Sequence, residues 1–407
     1  MTISSIAARS SATYLAFGAV MMLFGAPVAT AQLTLRVNPL PPGTPPGATV
    51  FLAGDFNRWN PGDTTWALKP TADGTHAITF PTSIRGAIAF KFTLGAWTTV
   101  ETSAAGTDIP NRTFAVPPTG AATFTATVGA WKTSTGPASP NVSTARPSVR
   151  VLSDRFAIPG LNRTRRVWVY LPPGYEGGTQ RYPTIYLQDG QNVFDAATSF
   201  AGEWGVDETI DSLASLGVAG AIVVAIDNGG ALRMNEYNPW KNASARMGGG
   251  EGAVYVEFLA RTLKPYMDAH YRTRTDARNT TIAGSSMGGL ISLYASLTRP
   301  EVFGNAGVFS CACWIARDEI MALVKRTKPG RQPAHFYFVV GSLEGSNREP
   351  EQDQTAIARA MNGAGFPTGS AVVARVLADG RHEEWFWRRE FPAAYLWLTG
   401  AAGGGRR

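Results

Sequence analysis

Thr280-Thr281-Ile282-Ala283-Gly284-Ser285-Ser286-Met287-Gly288-Gly289-Leu290-Ile291 is the stretch on which the fold turns. It opens on a β-branched run, passes through a Gly-x-Ser-x-Gly pentapeptide, and enters a helix-forming segment that extends to Leu297. The pentapeptide alone arises often by chance. Between a strand and a helix it describes a sharp turn that presents a serine at the end of the strand. Glycines at 284 and 288 remove side chains that would collide across so tight a turn. The free N–H groups of the helix start face any negative charge that develops beside the serine. Ser286 is therefore the candidate nucleophile, and the Met287 N–H the first candidate oxyanion donor. A structural Gly/Ser turn is the alternative.

Outward from this point, strand and helix patterns alternate. Strands are expected at Arg166 to Leu171, Thr184 to Leu187, Ala221 to Ile226, Thr280 to Ala283, Ala306 to Phe309, His335 to Val340 and Ala371 to Leu377. Helices are expected at Ala253 to His270, where Val256, Leu259, Ala260, Leu263 and Met267 recur at helical spacing, at Met287 to Leu297, and at Glu390 to Leu398. Alternation of this kind implies a mostly parallel sheet covered on both faces, an α/β-hydrolase fold over 149–400.

A serine at neutral pH needs a base. The chain has four histidines: His76, His270, His335 and His382. The α/β-hydrolase order is Ser, acid, His. Only His382 lies beyond the last expected strand, in the loop Asp379-Gly380-Arg381-His382-Glu383, and it is the expected base. The acid belongs on the loop after the preceding strand, where Gly341-Ser342-Leu343-Glu344 follows His335 to Val340. Glu344 is the expected acid, with Asp353 as the alternative. A second oxyanion donor is expected from Leu187-Gln188-Asp189-Gly190-Gln191-Asn192, at the Gln191 N–H, because a glycine there lets backbone approach the oxyanion.

The 407 residues are enough for two domains, and 44% hydrophobic with 16% charged residues fits a globular chain with a sizeable core. Residues 1–31 read as a signal peptide: Arg9, an apolar run from Thr13 to Val28, then the small-residue site Ala29-Thr30-Ala31. That run is broken by Gly and Pro and is too short for a membrane anchor, the alternative reading. A chain starting near Gln32, secreted or periplasmic, is expected. Residues 32–130 carry short β-rich runs at Val50 to Ala53, His76 to Phe80, Ile88 to Phe92 and Ala122 to Val128, separated by turns, as in a small immunoglobulin-like β-sandwich. Residues 131–148 form a Ser/Thr/Pro-rich linker, and 401–407 a disordered tail. The formal charge is +7, of which Arg9, Arg406 and Arg407 account for three; the other cations are scattered, which argues against nucleic acid as a partner. Cys311 and Cys313, separated by one residue, read as too close for an unstrained structural disulfide and as buried small side chains at a strand end. No metal or cofactor is expected.

At 163–398 the chain resembles the esterase family that includes enterochelin esterases, feruloyl and acetyl-xylan esterases, and mycolyltransferases. The likeness rests on Val169 to Tyr175, Leu187 to Asn192, Glu203-Trp204, Glu236 to Trp240, Tyr271-Arg272-Thr273, Gly284 to Leu290 and Pro300 to Gly304. The resemblance puts the family's nucleophile, acid and base on Ser286, Glu344 and His382. It implies a serine carboxylic-ester hydrolase working through an acyl-enzyme. Its substrate would be a carbohydrate-linked feruloyl or acetyl ester, or a siderophore lactone. Acyl transfer to a sugar hydroxyl is the alternative, and a non-catalytic glycan-binding protein a more distant one. Arg233, Glu236, Tyr237 and Trp314 are expected to line the cleft; Arg233 would grip an acidic substrate group or pair with Glu236. Cys311-Ala312-Cys313-Trp314 departs from the family pattern. The N-terminal region is similar to starch-binding-type carbohydrate-binding modules through Phe51 to Asn60, Phe90-Lys91-Phe92, Trp97 and Pro110-Asn111-Arg112. By that resemblance Trp59, Trp97 and Lys91 would meet a polysaccharide; packing of the sandwich is the alternative for the two tryptophans.

Overall fold

A computed structural model describes residues 32–132 and 143–401, apart from residues 38, 58, 85, 107, 108, 110, 118, 119, 200, 201, 242–247, 331–333 and 345–347. The expected signal peptide, residues 133–142 of the expected linker, and the tail from 402 lie outside the described residues.

Eight strands form one sheet: β1 (Val149–Ile158), β2 (Arg163–Tyr170), β3 (Thr184–Gln188), β4 (Ile222–Ile226), β5 (Thr280–Ser285), β6 (Asn305–Phe309), β7 (His335–Gly341) and β8 (Val372–Leu377). Their spatial order is β1-β2-β4-β3-β5-β6-β7-β8. From β4 to β8 every neighbouring pair is parallel; β2 is antiparallel to both β1 and β4. The central strands β3, β4, β5 and β6 are buried along their whole length, and β4 accordingly reads in the sequence as an unbroken apolar run. β1 was not legible in the sequence. It is a half-exposed edge strand with polar and charged residues and two register shifts against β2.

The two-residue strand period sorts side chains onto two cores. Tyr186, Ile222, Val224, Ile282, Val308 and Phe338 face one; Ile185, Leu187, Val223, Ala225, Phe309 and Val339 face the other. The first core is covered by α2 (Gly252–Phe258), which continues through a π-helical segment (Leu259–Leu263) into α3 (Lys264–His270), and by α4 (Met287–Thr298), α5 (Arg317–Arg326) and α6 (Glu349–Gly363). The second is covered by α1 (Val206–Ser215) and α7 (Glu384–Thr399). α7 begins six residues before the expected start. Its first turns hold Phe386 and Trp387, poor helix formers kept in place by burial against the sheet.

The N-terminal region is all-β. Lys69–Pro70, His76–Thr79, Gln32–Val37 and Ala121–Ala126 form one sheet in that order; Phe51–Gly54, Gly86–Thr93 and Arg112–Val116 form another. Leu33, Leu35, Leu52, Phe90, Phe92 and Val116 are buried in a core of their own. The segment expected as linker is anchored from its Ser143 onward: Ser143 Oγ donates to Asp195 (2.8 Å) and Thr144 Oγ1 to Glu203 (2.6 Å).

Candidate active site

β5 ends at Ser285 and α4 begins at Met287, so Ser286 takes the whole turn, at φ 56° and ψ −121°. Such a backbone costs a non-glycine residue about 1–3 kcal/mol. Neighbouring strands and the helix hold it there. The Ser286 N–H donates to the Phe309 carbonyl (2.9 Å), and its own carbonyl accepts from Leu290 and Ala312 (3.1 Å each). A Cβ at Gly284 would stand 2.9 Å from the Gln188 Cβ, and one at Gly288 3.0 Å from it. The same absence of side chains lets the end of β3 lie against the elbow. Past Gln188 the chain turns through Asp189 (φ 57°) into the 3-10 turn Gly190–Asn192, which carries Gln191. The Gln191 carbonyl accepts from Thr198 Oγ1 (2.8 Å), and its Oε1 from the Asn228 N–H (3.2 Å). Met287, the first residue of α4, is buried.

Glu344 lies in the turn after β7 and is buried. Its Oε1 accepts from Ser310 Oγ (2.6 Å) and the Gly341 N–H (2.7 Å); its Oε2 lies 3.0 Å from His382 Nδ1. A carboxylate can only accept, so Nδ1 carries the proton and the neutral ring keeps its lone pair on Nε2. Trp387 stands edge-on to the His382 ring, centroids 5.2 Å apart, and its Nε1 donates to Ser310 Oγ (2.8 Å). Asp353, the alternative acid, is on α6 and pairs with Arg317 (2.9 Å). His270 meets the Tyr266 carbonyl (2.8 Å) at a helix end, and His335 packs edge-on to Trp397.

The expected cleft residues separate. Arg233 is held bidentately by Asp189, Nε to Oδ1 at 2.6 Å and Nη2 to Oδ2 at 2.7 Å, and lies over the Tyr237 ring. It does not pair with Glu236. Glu236 and Tyr237 have no exposed surface, which corrects their expected place on the cleft wall. Glu236 is drawn inward by Arg163 and Arg165, whose guanidiniums compensate its buried charge. The Tyr237 hydroxyl accepts from the Asp189 N–H (3.2 Å). Trp314 is half-buried in the turn after Cys313.

Cys311 and Cys313 are buried just past the end of β6, as expected, but they form a disulfide, which corrects the reading that they stand too close. The chain here coils instead of extending, with Ser310 at φ 44° and Ala312 at φ −74°, ψ 42°. That brings the Cα atoms to 5.0 Å, an ordinary disulfide separation.

In the N-terminal region, Trp59 and Trp97 lie side by side, ring centroids 6.3 Å apart with planes at 30°, both partly exposed. Lys91 is buried and donates to the Ile109 carbonyl. Phe90 and Phe92, on either side of it in the strand Gly86–Thr93, are buried in the core.

Sequence reasoning missed four residues. Ser310 donates to Glu344 and is itself held by Trp387, and Asp189 locks Arg233. The fourth, Glu384, starts α7 two residues beyond His382, is largely buried, and accepts from Asn192 Nδ2 at 3.5 Å. A spacing of five between His382 and Trp387 was the one available signal, and it has no meaning until α7 is known to begin at Glu384. Burial pushes the Glu384 carboxyl up to about 7, against a relieving attraction to His382. A raised folded-state value favours the folded state at low pH, and this advantage disappears as pH climbs from about 4.5 through about 7. Glu384→Gln is therefore expected to match wild type near the lower end of that window. It should exceed wild type above it, by about 3 kcal/mol from urea midpoints. A difference independent of pH would refute this.

The family described as "Putative esterase" matches residues 158–398. The ferri-bacillibactin esterase BesA of Bacillus subtilis is 26% identical over 237 residues, 49% of this chain and 76% of the relative. An endo-1,4-beta-xylanase/feruloyl esterase of Xylanibacter ruminicola is 29% identical over 226 residues, 54% of this chain and 27% of the relative. Among solved structures, the enterobactin esterase FES of Shigella flexneri in the presence of enterobactin covers 87% of this chain and 87% of its own. Its TM-score is 0.50 and its identity 18%, a likeness of fold. The family match takes in more than half of the chain, with Ser286, Glu344 and His382 inside it, and the chain belongs to that esterase family as a carboxylic ester hydrolase.

Proposed function

We propose that the chain is an exported serine esterase that works through an acyl-enzyme. Ser286 Oγ attacks the acyl carbonyl while His382 Nε2 takes its proton. His382 then gives that proton to the leaving alcohol, and water, activated by the same ring, releases the acid. Glu344 fixes the tautomer and stabilises the imidazolium. The N–H groups of Met287 and Gln191 hold the oxyanion. The observation that carries this reading is the 3.0 Å contact between His382 Nδ1 and a Glu344 carboxylate already saturated at its other oxygen.

Export is supported by the signal-like leader and by the Cys311–Cys313 disulfide, which belongs to an oxidising compartment. The substrate is an ester of a carbohydrate, feruloyl or acetyl, or a siderophore lactone. The xylanase/feruloyl esterase relative supports the first and the ferri-bacillibactin esterase the second. The Trp59–Trp97 pair adds weight to a glycan, since exposed aromatic faces stack on the apolar faces of sugar rings. Hydrolysis of p-nitrophenyl acetate and butyrate tests the esterase; a panel of feruloyl, acetyl-glycan and siderophore esters then ranks the substrates. Trp59→Ala with Trp97→Ala is expected to weaken retention on soluble starch about ten-fold and leave p-nitrophenyl butyrate turnover unchanged. Unchanged retention would assign both rings to packing of the sandwich.

A further inference from the structure

Glu203, Asp207 and Glu208 each bring a carboxylate oxygen to within 4.8 Å of the other two, at the start of α1. Among the described residues no other trio of His, Cys, Asp or Glu converges this way. Each of the three keeps one oxygen with no hydrogen-bond donor: Glu203 Oε1, Asp207 Oδ1 and Glu208 Oε2. Asp207 is wholly buried and Glu203 more than nine-tenths buried, so water does not serve those oxygens freely. Their other oxygens are already taken, Asp207 Oδ2 by the Arg146 N–H (2.8 Å) and Glu203 Oε2 by Thr144 Oγ1 (2.6 Å). What remains is a set of acceptors that lack a common donor.

The nearby positive charge does not balance them. Arg388 Nη1 reaches Glu203 Oε1 at 3.7 Å and is half-exposed. The helix start supplies about half a unit charge. Against three carboxylates this leaves a deficit that a divalent cation would close. Three carboxylates with no nitrogen or sulfur select a hard cation. Calcium, with bonds of about 2.3–2.6 Å, spans roughly 5 Å from one ligand oxygen to another and tolerates irregular geometry. Magnesium bonds are shorter and its geometry stricter.

We propose that Glu203, Asp207 and Glu208 form a structural calcium site. The ion would tie the 143–146 segment and α1 to the loop that follows Gln191. That loop is already laced to the site: the Trp204 N–H donates to the Asn192 carbonyl (2.9 Å) and the Val206 N–H to the Val193 carbonyl (3.2 Å). The site therefore braces the backbone next to Gln191 and takes no part in the reaction. The competing occupant is a proton shared between neighbouring carboxyls; burial already pushes both Glu203 and Asp207 upward.

The test is calorimetric titration of the chelator-treated mature chain with calcium chloride, paired with thermal melts. One calcium per chain is expected, and a rise in Tm of roughly 5–10 °C at a hundred-fold excess over Kd. Magnesium should give a smaller rise. Asp207→Asn is expected to abolish binding. Because Asp207 is buried, Glu208→Gln serves as the second variant: it is partly exposed, should keep its urea midpoint in chelator, and should lose at least about ten-fold in calcium affinity. No heat and no shift up to about 10 mM calcium, beyond the range of weak extracellular sites, would overturn the proposal in favour of the shared proton. So would unchanged affinity in Glu208→Gln.

Discussion

Ser286→Ala is expected to lower kcat/KM for p-nitrophenyl butyrate by about 10⁴–10⁶-fold, with Tm nearly unchanged. The loss is large because no other group replaces a covalent nucleophile. The residue left behind still has oxyanion donors and a substrate site, so a residual rate above that of water is expected from those alone. Folding should survive the change. The left-handed turn at 286 is held by backbone contacts to Phe309, Leu290 and Ala312, none of which uses the hydroxyl. Alanine and serine meet the same steric cost at that φ. Equal slow rates in the two proteins would remove Ser286 from the chemistry and move weight toward a glycan-binding role or a transferase that lacks its acceptor.

Glu344→Gln is expected to cost about 10³–10⁴-fold in kcat with little change in KM. Glu344 Oε1 receives two donors, Ser310 Oγ and the Gly341 N–H. In the amide the oxygen must stay with those donors, which turns the NH₂ toward His382 Nδ1. An N–H facing Nδ1 forces the ring's proton onto Nε2, the nitrogen that must accept from Ser286. The substitution thus reverses the tautomer while keeping shape and packing. Asp353→Asn is the control: it breaks the pairing with Arg317 and should leave kcat within about two-fold. A larger loss in Asp353→Asn than in Glu344→Gln would exchange the two assignments.

The candidate order of Ser286, Glu344 and His382 could be read from the sequence because each of its signals is local. Gly284, Ser286 and Gly288 are required by one turn, and His382 stands in the one loop after the last apolar strand. Glu344 follows from the strand that precedes it. The cleft was not legible. Glu236 and Tyr237 are both buried, Glu236 against Arg163 and Arg165, over seventy positions earlier, and Tyr237 with its hydroxyl on the Asp189 N–H, over forty earlier. Arg233 was assigned a substrate or Glu236, and Asp189, more than forty positions away, takes both of its donors. Lys91 is buried although its residue type suggests exposure, and it donates to the Ile109 carbonyl.

The sequence by itself determined the strand–helix alternation and the sharp turn at Ser286 between β5 and α4. Those depend on periodicity and turn sterics, which act over a few residues. Only the tertiary structure decided which of the other carboxylates face arginine or one another. Glu384, Asp189 and the Glu203–Asp207–Glu208 group differ little as residues in a string. Their roles come from burial and from partners brought in by other strands, and long-range charge compensation has no period to read.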